Sequence, residues 1–363
     1  MTTVRNKRRL TATGQGMTGY AHRSYAESLS EWGEARVLPR SSGPILVKGV
    51  PESSYRDAAG CYPLFCCLDW RGLAEDLREL EGELVSLTLV ADPFGNHDEA
   101  LLTKLFPDRM HPFKRHYVVD LGRRPETFVS AHHRRNARKA FATVAVDCCE
   151  SPPAWIDDWT RLYENLIGRH GIQGIARFSS MSFAGQLRTP GLVMYRASIG
   201  SRTVGMLLWY VVGDIGYYHL GAYSPEGYAA KASFALFTFA LQEFRRRGLR
   251  ALGLGAGPGV ADDSTGGLSR FKRGWATGEQ TAYLCGRVLH AERYRELVGR
   301  TSPPTEDYFP AYRRGESGSR AHLCSPLTPD PGRADLGPVD LAPVDAAPVD
   351  RGPAAPGPGR RDR

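Results

Sequence analysis

The stretch from Leu192 to Leu254 constrains the fold more than any other part of the chain. Gly200-Ser201 and Gly213-Asp214 punctuate runs rich in β-branched and aromatic residues, so residues 192–223 predict an antiparallel meander of strands joined by tight turns. Ala232 to Phe244 is apolar almost all round. Its polar residues Thr238, Gln242, Arg245 and Arg246 fall at i, i+4, i+7 and i+8, which leaves one exposed stripe on a buried helix. Gly248 ends that helix and Leu252–Leu254 follows as a strand. A helix that joins two strands of one sheet is a crossover, and it makes them parallel neighbours. The expected fold is therefore α/β (α+β), with a mixed sheet and the helix buried against one face.

The rest of the chain divides around this unit. Residues 1–24 are rich in Gly, Thr and Arg without periodicity and predict a disordered basic arm. A small α/β lobe is expected over 25–124. It has a short helix at Ala26–Trp32, strands at Ala35–Leu38, Ile45–Val47 and Tyr62–Cys67, helices at Trp70–Leu80 and Glu99–Phe106, and a fully buried strand at Val85–Val90. A second lobe, 125–300, opens after the junction strand His116–Leu121 with a basic helix from Pro125 to about Phe141 and a strand at Val144–Cys148. Trp155, Trp159, Leu162 and Leu166 then mark the core stripe of a helix over 154–168, and a short helix starts near Phe178. Thr281–Val288 is expected to close this lobe, followed by a helix over 292–298. Residues 301–363 form an extension and a solvated tail, in which Pro-Val-Asp repeats among Ala, Gly and Pro.

Composition narrows the function. A charged fraction of 24% against 42% hydrophobic residues is globular, and no window carries the apolar run that a membrane-spanning helix needs. The basic N-terminus lacks an apolar core after it, so no secretion signal is expected and the chain is expected to be cytoplasmic. The net charge of +8 lies in the folded part, because the tail from Ser325 holds five Arg and six Asp. Anionic partners are therefore expected. Cys61, Cys66, Cys67, Cys148, Cys149, Cys285 and Cys324 show no C-x-x-C spacing and are read as free thiols, with no metal site.

The meander, the buried helix and Gly267-Leu268-Ser269-Arg270-Phe271-Lys272-Arg273-Gly274-Trp275 resemble the GNAT acyltransferase superfamily. The order of these motifs, with His133-Arg134-Arg135-Asn136-Ala137-Arg138-Lys139-Ala140 and Val144-Ala145-Val146 ahead of them, is similar to the two-lobed branch that includes the Fem-type aminoacyltransferases. This resemblance implies tandem GNAT-like lobes, the first degenerate. It implies transfer of an acyl or aminoacyl group to an amine or hydroxyl, from acyl-CoA (acetyl-CoA) or from aminoacyl-tRNA. The acceptor would be a small molecule or a cell-envelope precursor, and tRNA a possible partner. It also places the donor carbonyl on the third meander strand and its pyrophosphate at the N-terminus of the buried helix. The loop there, Glu226-Gly227-Tyr228-Ala229-Ala230-Lys231-Ala232-Ser233, departs from the Arg/Gln-x-x-Gly-x-Gly/Ala signature of acetyl-CoA binding, as a Fem-type enzyme would.

Candidate residues follow. His219 and Tyr223 are expected to handle protons, with Glu226 as an alternative base; strict alternation puts Tyr217, His219 and Gly221 on one strand face and Tyr218 and Leu220 on the other. Gly227, Lys231, Ala232, Ser233 and Lys272 are expected at the donor. His132, His133, Arg134, Arg135, Arg138 and Lys139 form a basic helix face, with Arg134/Arg138 and Arg135/Lys139 as parallel rows suited to phosphate. Leu268, Phe271 and Trp275 should pack inward and leave Arg270, Lys272 and Arg273 outward. A different class, a non-catalytic RNA- or DNA-binding module that uses the basic helix 132–139, fits the same charges. The Gly253–Gly259 run resembles a dinucleotide loop but lacks the helix such a loop requires.

Overall fold

The computed structural model describes residues 17–172, 174–257, 266–300 and 308–313. The strands are β1 (Glu34–Val37), β2 (Pro44–Gly49), β3 (Arg56–Gly60), β4 (Ser86–Val90), β5 (Arg109–Asp120), β6 (Ala145–Cys148), β7 (Leu192–Ile199), β8 (Arg202–Val212), β9 (Ile215–Tyr223), β10 (Ala251–Gly255) and β11 (Gly278–Val288). The helices are α1 (Arg23–Glu27), α2 (Leu73–Glu79), α3 (Glu99–Leu105), α4 (Pro125–Phe128), α5 (Ala131–Ala140), α6 (Ile156–His170), α7 (Ser180–Gln186), α8 (Pro225–Ala229), α9 (Ala232–Arg246), α10 (Gly267–Arg273) and α11 (Ala291–Gly299). None of them is long and apolar enough to cross a membrane.

The meander forms as its turn signals predict: β7, β8 and β9 pair antiparallel, and α9 carries the chain to β10, which lies parallel to β9. One face of this sheet packs on α9 through Trp209, Phe237, Leu241 and Phe244, and the other on α6 and α7 through Trp159, Tyr163 and Phe183. The order β1-β2-β3-β4-β11-β5-β10-β9-β8-β7-β6 is a single sheet. Its last strand, β11, does more than close the second lobe. It lies antiparallel between β4 and β5 and so sews both halves of the chain together.

Several boundaries differ from the sequence expectations for physical reasons. Residues 17–24, expected within a disordered arm, include a 3-10 turn at Gly19–Ala21, and Tyr20 and Ala21 are buried on the sheet; residues 1–16 lie outside the described residues. The sequence Arg-Asp-Ala-Ala-Gly of β3 has little strand propensity, yet it pairs with both β2 and β4 because its small side chains suit a crowded interior. The expected strand at Tyr62–Cys67 contributes one bridge, Phe65 to Ala91. The basic helix divides at Val129, where Ser130 starts α5 by accepting from the His133 amide.

Tyr312 and Arg313 return to β3. Arg313 donates from Nε and Nη2 to the two Asp57 carboxylate oxygens at 2.6 and 2.8 Å, and the Tyr312 hydroxyl donates to Asp57 at 2.8 Å. Asp57 is 1% exposed and Arg313 5%. Removing one partner of such a pair strands the other charge away from water. Arg313→Ala is therefore expected to lower unfolding free energy in urea by about 3–5 kcal/mol. A loss within experimental error would show that this segment is not seated in solution.

Candidate active site

An irregularity in β9 determines which residues can meet. Leu208 pairs with Leu220 and Trp209 with Tyr218, so His219 is an extra, bulged residue opposite no partner. The bulge shifts the alternation by one. Tyr217, Leu220 and Ala222 face the α6–α7 side, whereas Tyr218 and Tyr223 face α9. His219 lies on the α6–α7 side among Tyr20, Tyr25, Phe178 and Tyr210. The two residues expected to handle protons together thus lie on opposite faces of the sheet.

Both His219 ring nitrogens are already used. Gln186 donates from Nε2 to Ser182 Oγ at 3.1 Å, which leaves its Oε1 to accept from His219 Nε2 at 3.0 Å; Tyr20 then donates to His219 Nδ1, also at 3.0 Å. Burial pushes this imidazole down to about 3. It is a neutral, hydrogen-bonded core residue. Glu226 is likewise occupied, in a largely exposed pair with Arg202 at 2.6 Å.

The gap beyond Tyr217 is different. β10 pairs with β9 only from Ile215 to Tyr217, while β9 runs on to Tyr223, so the two strands part. Ligands of open α/β sheets sit where such strands diverge at their carboxyl ends. Lys272 enters this gap. Contrary to the outward position expected from the helix pattern, it is only 7% exposed. Its Nζ donates to Ala256 O at 2.7 Å and stands 5.6 Å from the Tyr218 ring centre. Arg270 and Arg273 do remain on the exposed side of α10, and Arg273 donates to Tyr117 Oη at 3.1 Å.

A second arrangement lies at the start of α9. Lys231, its N-cap, has φ +59°, a left-handed conformation that a lysine adopts only at a cost of about 1–2 kcal/mol. Among the described residues no side chain caps this helix, and the Ala232 and Ser233 amides have no backbone acceptor. Such amides, with the helix dipole, favour an anion. Lys231 Nζ donates to Asn136 Oδ1 at 3.1 Å and Asn136 Nδ2 bonds His132 Nε2 at 2.8 Å, so the α9 terminus is tied directly to α5. Arg134, Arg135, Arg138 and Lys139 line the exposed face of α5, with no carboxylate within ion-pair distance among the described residues. Arg134 also donates to the carbonyls of Glu126 and Val129.

Two expected ligand contacts are structural instead. A Cβ on Gly227 would overlap the Val204 carbonyl oxygen, so this glycine permits α8 to approach β8. His133 is buried and joins α5 to α10: its Nε2 donates to Phe271 O at 2.9 Å and its Nδ1 accepts from Ser130 at 2.7 Å. Burial holds it at about 4, and Gly274 is small because the His133 ring fills the space where its Cβ would be. Tyr218 and Asn136 were not singled out from the sequence. Strict alternation put Tyr218 on the face opposite His219, and the bond of Asn136 to Lys231 joins segments distant in sequence.

Residues 129–273 match the family model described as an acetyltransferase (GNAT) domain. Through these residues the chain is similar to the GNAT superfamily, and the protein is an acyltransferase. No curated protein sequence matches it. Its fold is similar to that of FemX, at 13% identity and TM-score 0.57, over 75% of this chain and 92% of FemX. It is also similar to the C-terminal domain of a putative lysylphosphatidylglycerol synthetase from Agrobacterium fabrum, at 14% identity and TM-score 0.52, over 75% and 89%. At these identities the likeness is one of fold, here the Fem-like variant of the GNAT architecture.

The buried imidazoles make stability depend on pH with a definite sign. His219 and His116 titrate at about 3 and His133 at about 4, against about 6.5 in an unfolded chain. The unfolded state therefore binds more protons between these values, and the stabilisation is complete above about pH 6.5 and lost as pH falls. Unfolding free energy in urea is expected to decline from pH 6.5 to 5 by up to about 1.4 kcal/mol per pH unit for each fully shifted histidine. His219→Gln should flatten that slope; an unchanged slope would show that His219 is not buried and neutral.

Proposed function

We propose that the protein is an N-acyltransferase that takes an aminoacyl group from aminoacyl-tRNA and forms an amide with an amine acceptor. The observation that carries this reading is the cationic face made by the uncapped α9 terminus and the exposed basic rows of α5, which Lys231 ties together through Asn136. A polyanion is what such a surface fits. The loop before α9 has its glycine committed to packing on β8 and lacks the glycine spacing of an acetyl-CoA site. The similarity to the fold of FemX and of a lysylphosphatidylglycerol synthetase domain supports a donor of this kind and an acceptor from cell-envelope chemistry. Acyl-CoA is the second reading, favoured by the free Ala232 and Ser233 amides, which suit a pyrophosphate equally.

The chemistry needs little more than placement. The neutral acceptor amine attacks the ester carbonyl, a C–N bond forms, the C–O bond breaks, and one proton of the ammonium formed at that nitrogen ends on the leaving ribose oxygen. Negative charge develops on the carbonyl oxygen at the intermediate. An ammonium that is buried, fixed by Ala256 and set over Tyr218 is suited to stabilise it, because the surroundings of Lys272 exclude most water. Tyr223 lies in the same core cluster as Tyr218, on the α9 face.

Transfer from radiolabelled aminoacyl-tRNA, with a parallel assay using acetyl-CoA, tests the donor. Product from the tRNA only is expected; product from acetyl-CoA only would replace this reading with the second. Lys272→Met is expected to lower kcat by about 10²-fold or more, the usual cost of losing one oxyanion donor, with KM for the donor changed little. The double change Arg135→Glu and Arg138→Glu should instead raise KM for tRNA and reduce the salt slope of binding by about 0.7–0.9 per lost phosphate contact.

A further inference from the structure

The exposed face of α5 ends on an aromatic ring. Phe141, the C-cap, keeps helical backbone angles, and its amide donates to Ala137 O, so helical spacing extends to it. Arg134, Arg138 and Phe141 stand at i, i+4 and i+7 and form one exposed row; Arg135, Lys139 and Ala142 form the row beside it. Phe141 is 44% exposed, belongs to none of the hydrophobic clusters, and meets no other aromatic ring among the described residues. A single exposed apolar side chain needs no account of its own, but this one ends a row of cations. Beside it, the Arg138 and Lys139 side chains have no hydrogen-bond or ion-pair partner among the described residues. Arg134 instead turns back to the carbonyls of Glu126 and Val129. The carboxylates that precede and follow α5 in the chain are engaged elsewhere, Glu126 with Arg124 and Asp147 with Arg196.

We infer that Phe141 is a stacking platform for an unpaired base of the donor RNA, with Arg138 and Lys139 on the adjoining phosphates. This role rests on the aminoacyl-tRNA reading above and adds what part of the RNA the face takes. A ring flanked by cations matches one nucleotide, base on the ring and phosphate on the cation, and proteins that hold single strands combine these two contacts. A base inside a duplex has both its faces covered by its neighbours, so only an unpaired or terminal one can lie on Phe141. The strand that carries the aminoacyl group ends in unpaired nucleotides and can supply it. Asn136 ties α5 to the start of α9, and Phe141 stands five residues further on, about 7.5 Å along the helix axis. A lipid bilayer fits this face less well. A helix lying in a membrane interface buries a whole apolar face, whereas that of α5, with Ala137 and Ala140, is already packed in the core. Because every base has a π-face, the preference expected is for unpaired RNA and not for a sequence.

An uncharged RNA minihelix with a four-nucleotide 3′ overhang, carrying fluorescent 2-aminopurine at each overhang position in turn, tests the platform with the full chain and without catalysis. Protein should quench the fluorescence saturably at one position. Phe141→Ala should abolish that quenching and weaken binding about tenfold, and Phe141→Trp should retain both. A blunt minihelix should bind more weakly, and equally to the wild type and Phe141→Ala. Quenching that persists in Phe141→Ala, or affinity lost equally for overhang and blunt RNA, overturns the platform. Binding to phosphatidylglycerol vesicles that is lost in Phe141→Ala, with binding of the overhang RNA unchanged, overturns it in favour of a membrane contact. Quenching that depends on Phe141 in a protein that makes no aminoacyl product supports the platform and counts against the transfer reading alone. Transfer from aminoacyl-tRNA with KM unaltered in Phe141→Ala overturns the platform and leaves the transfer reading standing.

Discussion

The bulge at His219 is the constraint on which the arrangement of the site depends. One unpaired residue in β9 reverses the sense in which later side chains project, so Tyr223 turns toward α9, the side of Tyr218, while His219 is sealed beneath Tyr20. It also falls next to the point where β10 stops following β9. A sheet that is otherwise closed by continuous pairing is opened here, and Lys272 occupies the opening. Bulges strengthen local twist and interrupt a ladder, and here both effects coincide with the point where two strands part.

The two faces then have different tasks. On the α6–α7 side a chain of hydrogen bonds runs from Tyr20 through His219 and Gln186 to Ser182, every member buried, and it fixes the N-terminal residues on the sheet. A network of this kind specifies one packing because any broken link leaves a polar group dry. On the α9 side the polar groups are directed at solvent or at the gap: the α9 amides, Lys231 with Asn136, and the basic rows of α5. The left-handed Lys231 lies at their centre, and backbone strain held at a helix N-terminus is a feature that function tends to retain. β11 gives these parts a common frame, since it pairs with β4 on one side and β5 on the other.

Much of the fold was legible because periodicity carries it. The meander, α9 and β10 follow from turn residues and an apolar helix, and the basic face of α5 is exposed as its charge pattern implied. The site was less legible. A bulge has no signature in the residues around His219, so strict alternation grouped the wrong side chains. Lys272 looked solvated because the i, i+3, i+7 pattern of Leu268, Phe271 and Trp275 says nothing of a neighbouring strand that ends early. Gly227 was read as a ligand contact from the family resemblance and His133 from the basic run around it, whereas their contacts with Val204 and Phe271 come from segments far away in the chain. Arg313 gave no signal at all, since its partner Asp57 is more than two hundred residues distant.

The central claim is that acyl transfer takes place on the Lys272 side of β9 and not beside His219. A crystal structure of the protein with a non-hydrolysable aminoacylated RNA minihelix, in which an amide replaces the ester, tests it most directly. The account predicts the acyl carbonyl oxygen within hydrogen-bonding distance of Lys272 Nζ, with the RNA backbone along α5 and the start of α9. A carbonyl lodged against His219 and Gln186, with Lys272 still closed onto Ala256 and far from the ligand, would contradict it.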